Sequence, residues 1–323
     1  MNPHPDSSTT RSVSGGERDT VIEVDMLTKR YGSLTAVDGI SFGVRDGEVF
    51  GILGPNGAGK TTTLECIEGL TEPTSGRTAV LGMDSRRDSA SIRERIGVQL
   101  QASAYFDNLT LKEILELFGR FYQRSVRYEE LLETVGLEDK AGSTVAKLSG
   151  GQQQRFAIAA TLVNDPGVVF LDEPTTGLDP QARRSLWDFV WAMNGEGRTI
   201  VLTTHYMEEA EQLCHRVAIM DNGKIVALDT PANLVASLDV PYEVKMATGE
   251  AHGVDDLRGL AGVRDARVDE DGAYRLSSSD ASATVPAAMA WAAASGATLT
   301  HLEVIPANLE DVFLSLTGRS LRD

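Results

Sequence analysis

The run Gly54-Pro55-Asn56-Gly57-Ala58-Gly59-Lys60-Thr61 has the spacing G-x-x-x-x-G-K-[ST]. Glycines at those positions let the backbone curl until its N–H groups converge on phosphate oxygens. A helix opening at the end of such a loop adds the positive end of its dipole. Lys60 has the reach to meet β- and γ-phosphates, and the Thr61 hydroxyl is a hard oxygen ligand suited to Mg²⁺. Thr62 follows in the same turn and is grouped with them as a nucleotide contact. The competing reading, an ordinary glycine-rich turn, leaves the strand before the loop and the helix after it without a purpose.

A second element is Val168-Val169-Phe170-Leu171-Asp172-Glu173. A short, wholly apolar run reads as a central strand of a parallel sheet. Its C-terminal end, where ligand sites of α/β sheets lie, carries Asp172. Asp172 then suits Mg²⁺, directly or through water, and Glu173 suits a base that polarises an attacking water. The third element is Leu148-Ser149-Gly150-Gly151-Gln152. It opens the predicted helix Gln152–Leu162 and forms another helix end that attracts anions; a plain capped helix is the alternative. One nucleotide needs one phosphate loop, so this second end suggests the nucleotide of a second copy.

Strands and helices must hold these groups. Val21–Met26 and Ile40–Val44 alternate apolar and polar residues as strands do. Glu48–Leu53 is a strand feeding the glycine run, and a helix starts near Lys60. Leu111–Phe121 and Arg183–Met193 read as helices and Thr199–Thr203 as a buried strand, which predicts an α/β domain with a largely parallel sheet. After Leu238 the candidate strands are Tyr242–Met246, Val263–Val268, Ala273–Ser277 and Thr298–Ile305, with an Ala-rich helix at Ala283–Ala294. Asn308 is placed to cap a last helix through Leu316, with Asp311 at its third position. This β-α-β-β-α-β-like order predicts a small α+β domain. The division is then a disordered tail (1–20), the α/β domain (21–238) and the α+β domain (239–323).

At 323 residues the chain is long enough for about two domains. With 41% hydrophobic residues it can bury a core, which excludes a disordered or fibrous chain. A net charge of −17 repels phosphate backbones and argues against sequence-independent nucleic-acid binding. Cys66 and Cys214 alone make no disulfide framework and fit a reducing compartment. Met1–Thr20 lacks the apolar core of a signal peptide. Ala281–Leu302 is uncharged, but Pro286, Gly296 and its alanines read as a surface helix rather than a membrane span.

Phosphate loop, Leu-Ser-Gly-Gly-Gln and Asp-Glu, in that order, resemble the ATP-binding subunit of an ABC transporter, from about Val21 to Val235. The resemblance implies an α/β P-loop NTPase of the ABC type with a helical subdomain, hydrolysing MgATP. It implies a homodimer formed through the ATP sites and a separate integral membrane permease at the cytoplasmic face of a bacterial membrane. Tyr31 matches the aromatic residue that stacks on adenine, and His205 the switch histidine that contacts the γ-phosphate. Gln101 matches the glutamine that couples Mg²⁺ to the membrane partner, with Gln99 as rival. Asp179, in Gly177-Leu178-Asp179, matches the residue linking the two sites, and it is also placed to cap a helix. Ser149, Gly150, Gly151 and Gln152 would close over the other copy's nucleotide.

The tail Asn308–Arg319 is similar to that of type-2 ABC exporters, which include drug and antibiotic exporters, and implies efflux of a drug-like, lipid or polysaccharide cargo. A soluble ABC ATPase acting on ribosomes or in DNA repair is the alternative. Such relatives carry two ATPase domains or a long coiled-coil insertion, whereas one short stretch separates Gly59 from Leu148. Gln101–Leu109, with apolar Ala102, Tyr105 and Phe106, is a candidate docking surface. Cys66, Cys214, His215, His301, Trp187 and Trp191 read as structural, and Glu208, Glu209 and Glu211 as a solvated acidic face.

Overall fold

Alternating β-branched and polar residues build the first hairpin, β1 (Thr20–Tyr31) and β2 (Leu34–Arg45). Gly32, at a φ of 59°, makes its turn. Both strands outrun Val21–Met26 and Ile40–Val44. Met26 sits at a φ of 47° where the register with β2 slips between Val24 and Leu27. A bulge of this kind breaks the period of two that a sequence reading follows. The computed structural model describes residues 19–99, 105–106, 108–249, 253–269 and 271–318. Most of the expected tail therefore lies outside the described residues.

β3 (Val49–Leu53) is buried throughout and runs through the glycine loop into α1 (Lys60–Ile67). β4 (Ser75–Val80) and β5 (Met83–Asp84) complete an antiparallel sheet in the order β2-β1-β4-β5. α2 (Ser89–Arg93) and β6 (Ile96–Gln99) lead to a helical lobe of α3 (Leu111–Gly119), α4 (Tyr128–Thr134) and α5 (Gly150–Thr161). β7 (Val168–Asp172), α6 (Pro180–Gly195), β8 (Thr199–Thr204) and α7 (Met207–Leu213) follow. β9 (Arg216–Asp221), β10 (Lys224–Asp229) and α8 (Pro231–Ala236) close this part.

The central sheet runs β10-β9-β3-β8-β7-β6, parallel from β9 to β6. Successive residues of a strand face opposite ways. Val49, Val169, Leu171, Ile200 and Leu202 accordingly pack toward the helical side, and Phe50, Ile52, Val168, Phe170 and Val201 toward the antiparallel sheet. This is the mixed α/β P-loop fold with a helical subdomain that the motifs implied.

The C-terminal region contains β11 (Tyr242–Thr248), α9 (Asp255–Arg258), β12 (Val263–Val268), β13 (Tyr274–Ser278), α10 (Ala281–Ser295) and β14 (Leu299–Pro306). Its sheet is antiparallel in the order β12-β13-β11-β14, with Val244, Met246, Tyr274 and Leu276 packed against Ala288 of α10. Among the described residues no helix is long and apolar enough to cross a membrane. The strands on entering and leaving this region meet: Ala307 N donates to Pro241 O at 2.9 Å.

The last helix, α11 (Leu309–Thr317), starts in the capping box of Asn308 and Asp311. It turns back onto α7 and α8, where Leu309, Val312 and Phe313 join Ala210, Leu213 and Leu234 in one buried cluster. Leu309 N donates to Glu211 Oε1 at 2.6 Å. Phe313 is fully buried there. Phe313→Ala should cost ~3–5 kcal/mol, the usual price of a deleted core aromatic. Urea unfolding followed by far-UV circular dichroism should show the lower midpoint, and hydrogen exchange should quicken in α7.

Candidate active site

The phosphate loop owes its shape to two close approaches and one turn. A Cβ on Gly54 would stand 2.3 Å from Met220 O, and one on Gly59 would stand 2.3 Å from Ala36 O. Gly57 has a φ of 81° and sits exposed beside Asn56 at the tip, with Ala58 buried beneath. Gly59 opens α1 without a side-chain cap, which leaves the first N–H groups of the helix to an incoming anion. Gly54 N donates to Thr204 O at 3.2 Å and fixes the loop to the end of β8. Lys60 folds back, donating to Gly54 O at 2.8 Å and Pro55 O at 3.1 Å, and its Nζ lies 3.2 Å from Glu173 Oε1.

Asp172 ends β7 and accepts from Thr61 Oγ1 at 3.0 Å and from Thr203 Oγ1. A hydroxyl and a carboxylate with only oxygen donors form a set that suits a hard divalent cation such as Mg²⁺. Glu173 has a φ of 48°, the left-handed region that non-glycine residues avoid. Such a conformation costs ~1–3 kcal/mol and persists only where neighbours over-determine it. Here Glu173 N donates to Thr203 O at 3.2 Å and to Thr203 Oγ1 at 2.9 Å, and Thr176 Oγ1 donates to Glu173 Oε2 at 3.1 Å. His205 Nδ1 stands 3.2 Å from Glu173 Oε2, near enough for a charge contact but not aligned as a hydrogen bond. Burial pushes the Glu173 carboxyl up, yet the Lys60 ammonium, with His205 and Thr176, outweighs it and holds the group below the usual carboxylate range.

Lys60, Thr61, Asp172, Glu173 and His205 therefore converge, and Thr62 flanks them, half-buried on α1. The other expected residues make their bonds locally. Tyr31 ends β1 with its ring exposed and Lys29 Nζ 4.8 Å from the ring centre. Ser149 caps α5, accepting from Gln152 N at 3.3 Å, while Ser149 N donates to Gln152 Oε1 at 3.0 Å. Gly150 is exposed in that first turn, and a Cβ on Gly151 would lie 3.2 Å from Ala182 Cβ. Asp179 Oδ1 accepts from Gln181 N and Ala182 N, both at 2.9 Å, and caps α6. Gln99 ends β6 with Oε1 buried and without a partner among the described residues. Gln101 lies outside the described residues.

Two structural readings change. Glu209 is no part of a solvated face: it is fully buried, and Trp187 Nε1 donates to its Oε1 at 3.4 Å. Its place on one helical face with Ala210 and Leu213 was the signal in the sequence. Glu211 caps α11, which leaves Glu208 as the exposed acid of the three. His215 has the structural role expected of it, since its Nδ1 accepts from Val49 N at 2.9 Å and steadies the strand that feeds the loop.

A glycine loop between strand and helix, level with two acids at the end of a parallel strand one place removed, is how P-loop nucleotide hydrolases are built, and this chain is one of them. A family model described as "ABC transporter" matches residues 37–176. The chain is 42% identical to the Nod factor export ATP-binding protein I of Ralstonia nicotianae, over 94% of its own length and 95% of that protein. It is 37% identical to the Linearmycin resistance ATP-binding protein LnrL of Bacillus subtilis, over 94% of its own length and 100% of that protein. A solved ATP-binding subunit of an ABC transporter superposes with a TM-score of 0.61 at 30% identity, over 67% of this chain and 92% of that one. A dimeric bacterial ABC transporter cassette gives 0.60 at 29%, over 65% and 98%. The chain belongs to the ATP-binding subunits of ABC transporters, and it is an ATP-hydrolysing enzyme.

Glu68, the C-cap of α1, is a buried acid that the motifs do not include. Burial, then the charges of Asp172 and Glu65, push its pKa from 4.5 up to about 8. The folded chain thus holds a proton that the unfolded chain has lost between those values, and stability falls as pH rises through that window. Glu68→Gln removes the slope. Urea unfolding should show the variant close to wild type below about pH 5 and more stable than wild type above about pH 8.

Proposed function

We propose that this chain powers a bacterial export transporter, with two copies pairing head to tail around two ATP molecules and a separate membrane permease carrying the cargo. The likeness to export and resistance ATP-binding proteins over 94% of the chain carries this reading, because it takes in the C-terminal region as well as the ATPase core. Residues 21–238 serve as the ATPase domain and 239–323 as an appended domain whose last helix, α11, returns to pack on the ATPase domain. The chain works at the cytoplasmic face of the membrane, and the cargo class is drug-like, lipid or polysaccharide.

In each site the N–H groups of Gly54–Gly59 cradle the phosphates, with Thr62 beside them, and Lys60 offsets their charge. Tyr31 stacks on the adenine. Thr61 and Asp172, with Gln101, would hold Mg²⁺, which would supply further neutralisation of the phosphate charge. Glu173 orients a water and takes its proton as the water attacks the γ-phosphorus in line, giving ADP and phosphate. His205 contacts the γ-phosphate. Ser149, Gly150, Gly151 and Gln152 of the second copy close over it, and Asp179 links the two sites. Catalysis is positioning and charge stabilisation more than covalent chemistry. Hydrolysis reopens the dimer, and that motion drives the permease.

A cleft of 370 Å³ lined by Leu70, Val98, Gln99, Phe118 and Tyr122 lies between sheet and helical lobe, and it is the permease docking surface on this reading. Phe106 and Phe121 are exposed apolar side chains, 59% and 69% accessible. Tyr105 instead packs 5.2 Å from the Phe156 ring, so among the described residues of this segment Phe106 is the apolar group open to solvent. Tagged Glu173→Gln protein, purified from native membranes in mild detergent with ATP, should bring down a polytopic membrane protein. Recovery of ribosomes or repair proteins instead would refute the export reading. The same variant should hydrolyse ATP at least ~100-fold more slowly, the scale of a lost general base, and dimerise with ATP by size-exclusion chromatography.

A further inference from the structure

Four segments meet behind the Glu173–His205 contact, and a single acid sits among them. Glu209, on α7, has no exposed surface. The hydroxyls of Thr204 and Thr175 face its carboxyl, the Trp187 indole donates to Oε1 at 3.4 Å, and the Arg183 guanidinium lies nearby. Each neighbour belongs to a working part. Thr204 precedes His205, and its Oγ1 accepts from Tyr206 N at 2.9 Å, closing the turn that holds the histidine. Thr175 follows Glu173 by two positions, in the turn where Thr176 donates to the Glu173 carboxylate. Trp187 and Arg183 lie in the helix that Asp179 caps, and Arg183 stacks on Tyr206 at 4.4 Å.

Inside this cluster Glu209 Oε2, Thr175 Oγ1 and Arg183 Nε are buried without aligned hydrogen-bond partners among the described residues. Buried polar groups left this way cost free energy, so proteins rarely keep several together without a function. Burial raises the pKa of Glu209, while the two threonine hydroxyls, the indole and the Arg183 charge oppose it. A solvated acid or a plain core residue would need neither the four neighbours nor their loose alignment.

We propose that Glu209 is a positioning residue for ATP hydrolysis, tying the segment after Glu173 and the strand end before His205 to the helix begun by Asp179. It holds the base and the switch histidine in register, while the phosphate loop is shaped by its own glycines between β3 and α1 and meets β8 through the Thr204 carbonyl rather than its hydroxyl. The inference rests on the roles given above to Glu173 and His205. It assigns Glu209 to the chemical step rather than to nucleotide binding.

The full chain tests it, with phosphate release measured across ATP concentrations and normalised to folded protein. Glu209→Leu keeps the volume and removes the polar links. Its kcat should fall at least ~10-fold while KM for ATP stays within about threefold. Glu209→Gln keeps both a donor and an acceptor and should restore kcat to within about twofold of wild type. Thr175→Val serves if the leucine variant fails to fold, and it should lower kcat with KM unchanged. Wild-type kcat in either folded variant, or a loss confined to KM, overturns the positioning role. Glu173→Gln is assayed beside them: if it is inactive while Glu209→Leu is fully active, only this inference fails, whereas full activity in Glu173→Gln removes the reading beneath it.

Discussion

A lysine and a glutamate from different parts of the chain face each other with almost no water. The Lys60 side chain is 4% exposed and that of Glu173 is 6% exposed, and 3.2 Å separates their charges. A buried charge without a partner is prohibitively costly, so the fold must bring these two ends together. It does so through strand order. Lys60 follows β3, Glu173 follows β7, and β8 lies between them in parallel register. The glycine loop, the acids and the histidine are then neighbours because three strands end at one level.

β8 does more than separate its neighbours. Thr203 bonds Asp172 and holds Glu173 in its strained conformation, and the Thr204 carbonyl accepts from Gly54. His205 comes next. The strand is thus a template on which the loop, Asp172 and Glu173 are set at fixed spacing, the kind of arrangement that preorganised electrostatic catalysis requires. Holding Glu173 at a positive φ aims its carboxylate at Lys60 and His205 together, and the strain is offset by the hydrogen bonds that Glu173 N donates to Thr203 and that Thr176 donates to its carboxylate.

What was legible in the sequence follows physical rules of different reach. The glycine loop and Asp172-Glu173 stand out because backbone curvature and double-sided burial restrict composition at each position. The order of the C-terminal strands was legible for a similar reason, since turn residues punctuate each one. Glu68 was not, because charge predicts exposure unless tertiary partners override it, and the same expectation masked Glu209 although it shares a helical face with Ala210 and Leu213. The first hairpin was shortened because a bulge at Met26 hid its continuation. The helix after Asn308 was foreseen with its cap, but an amphipathic pattern says that a face is buried and not against what.

The bond from Ala307 to Pro241 and the return of α11 to α7 and α8 have a consequence for how the chain can vary. The C-terminal sheet is strung between two points that touch, as a bead on a closed neck. A unit whose ends meet can be enlarged, exchanged or excised with a short bridge while the body that carries it stays put. The last helix cannot be treated that way, since it is a clasp on the ATPase side of the neck.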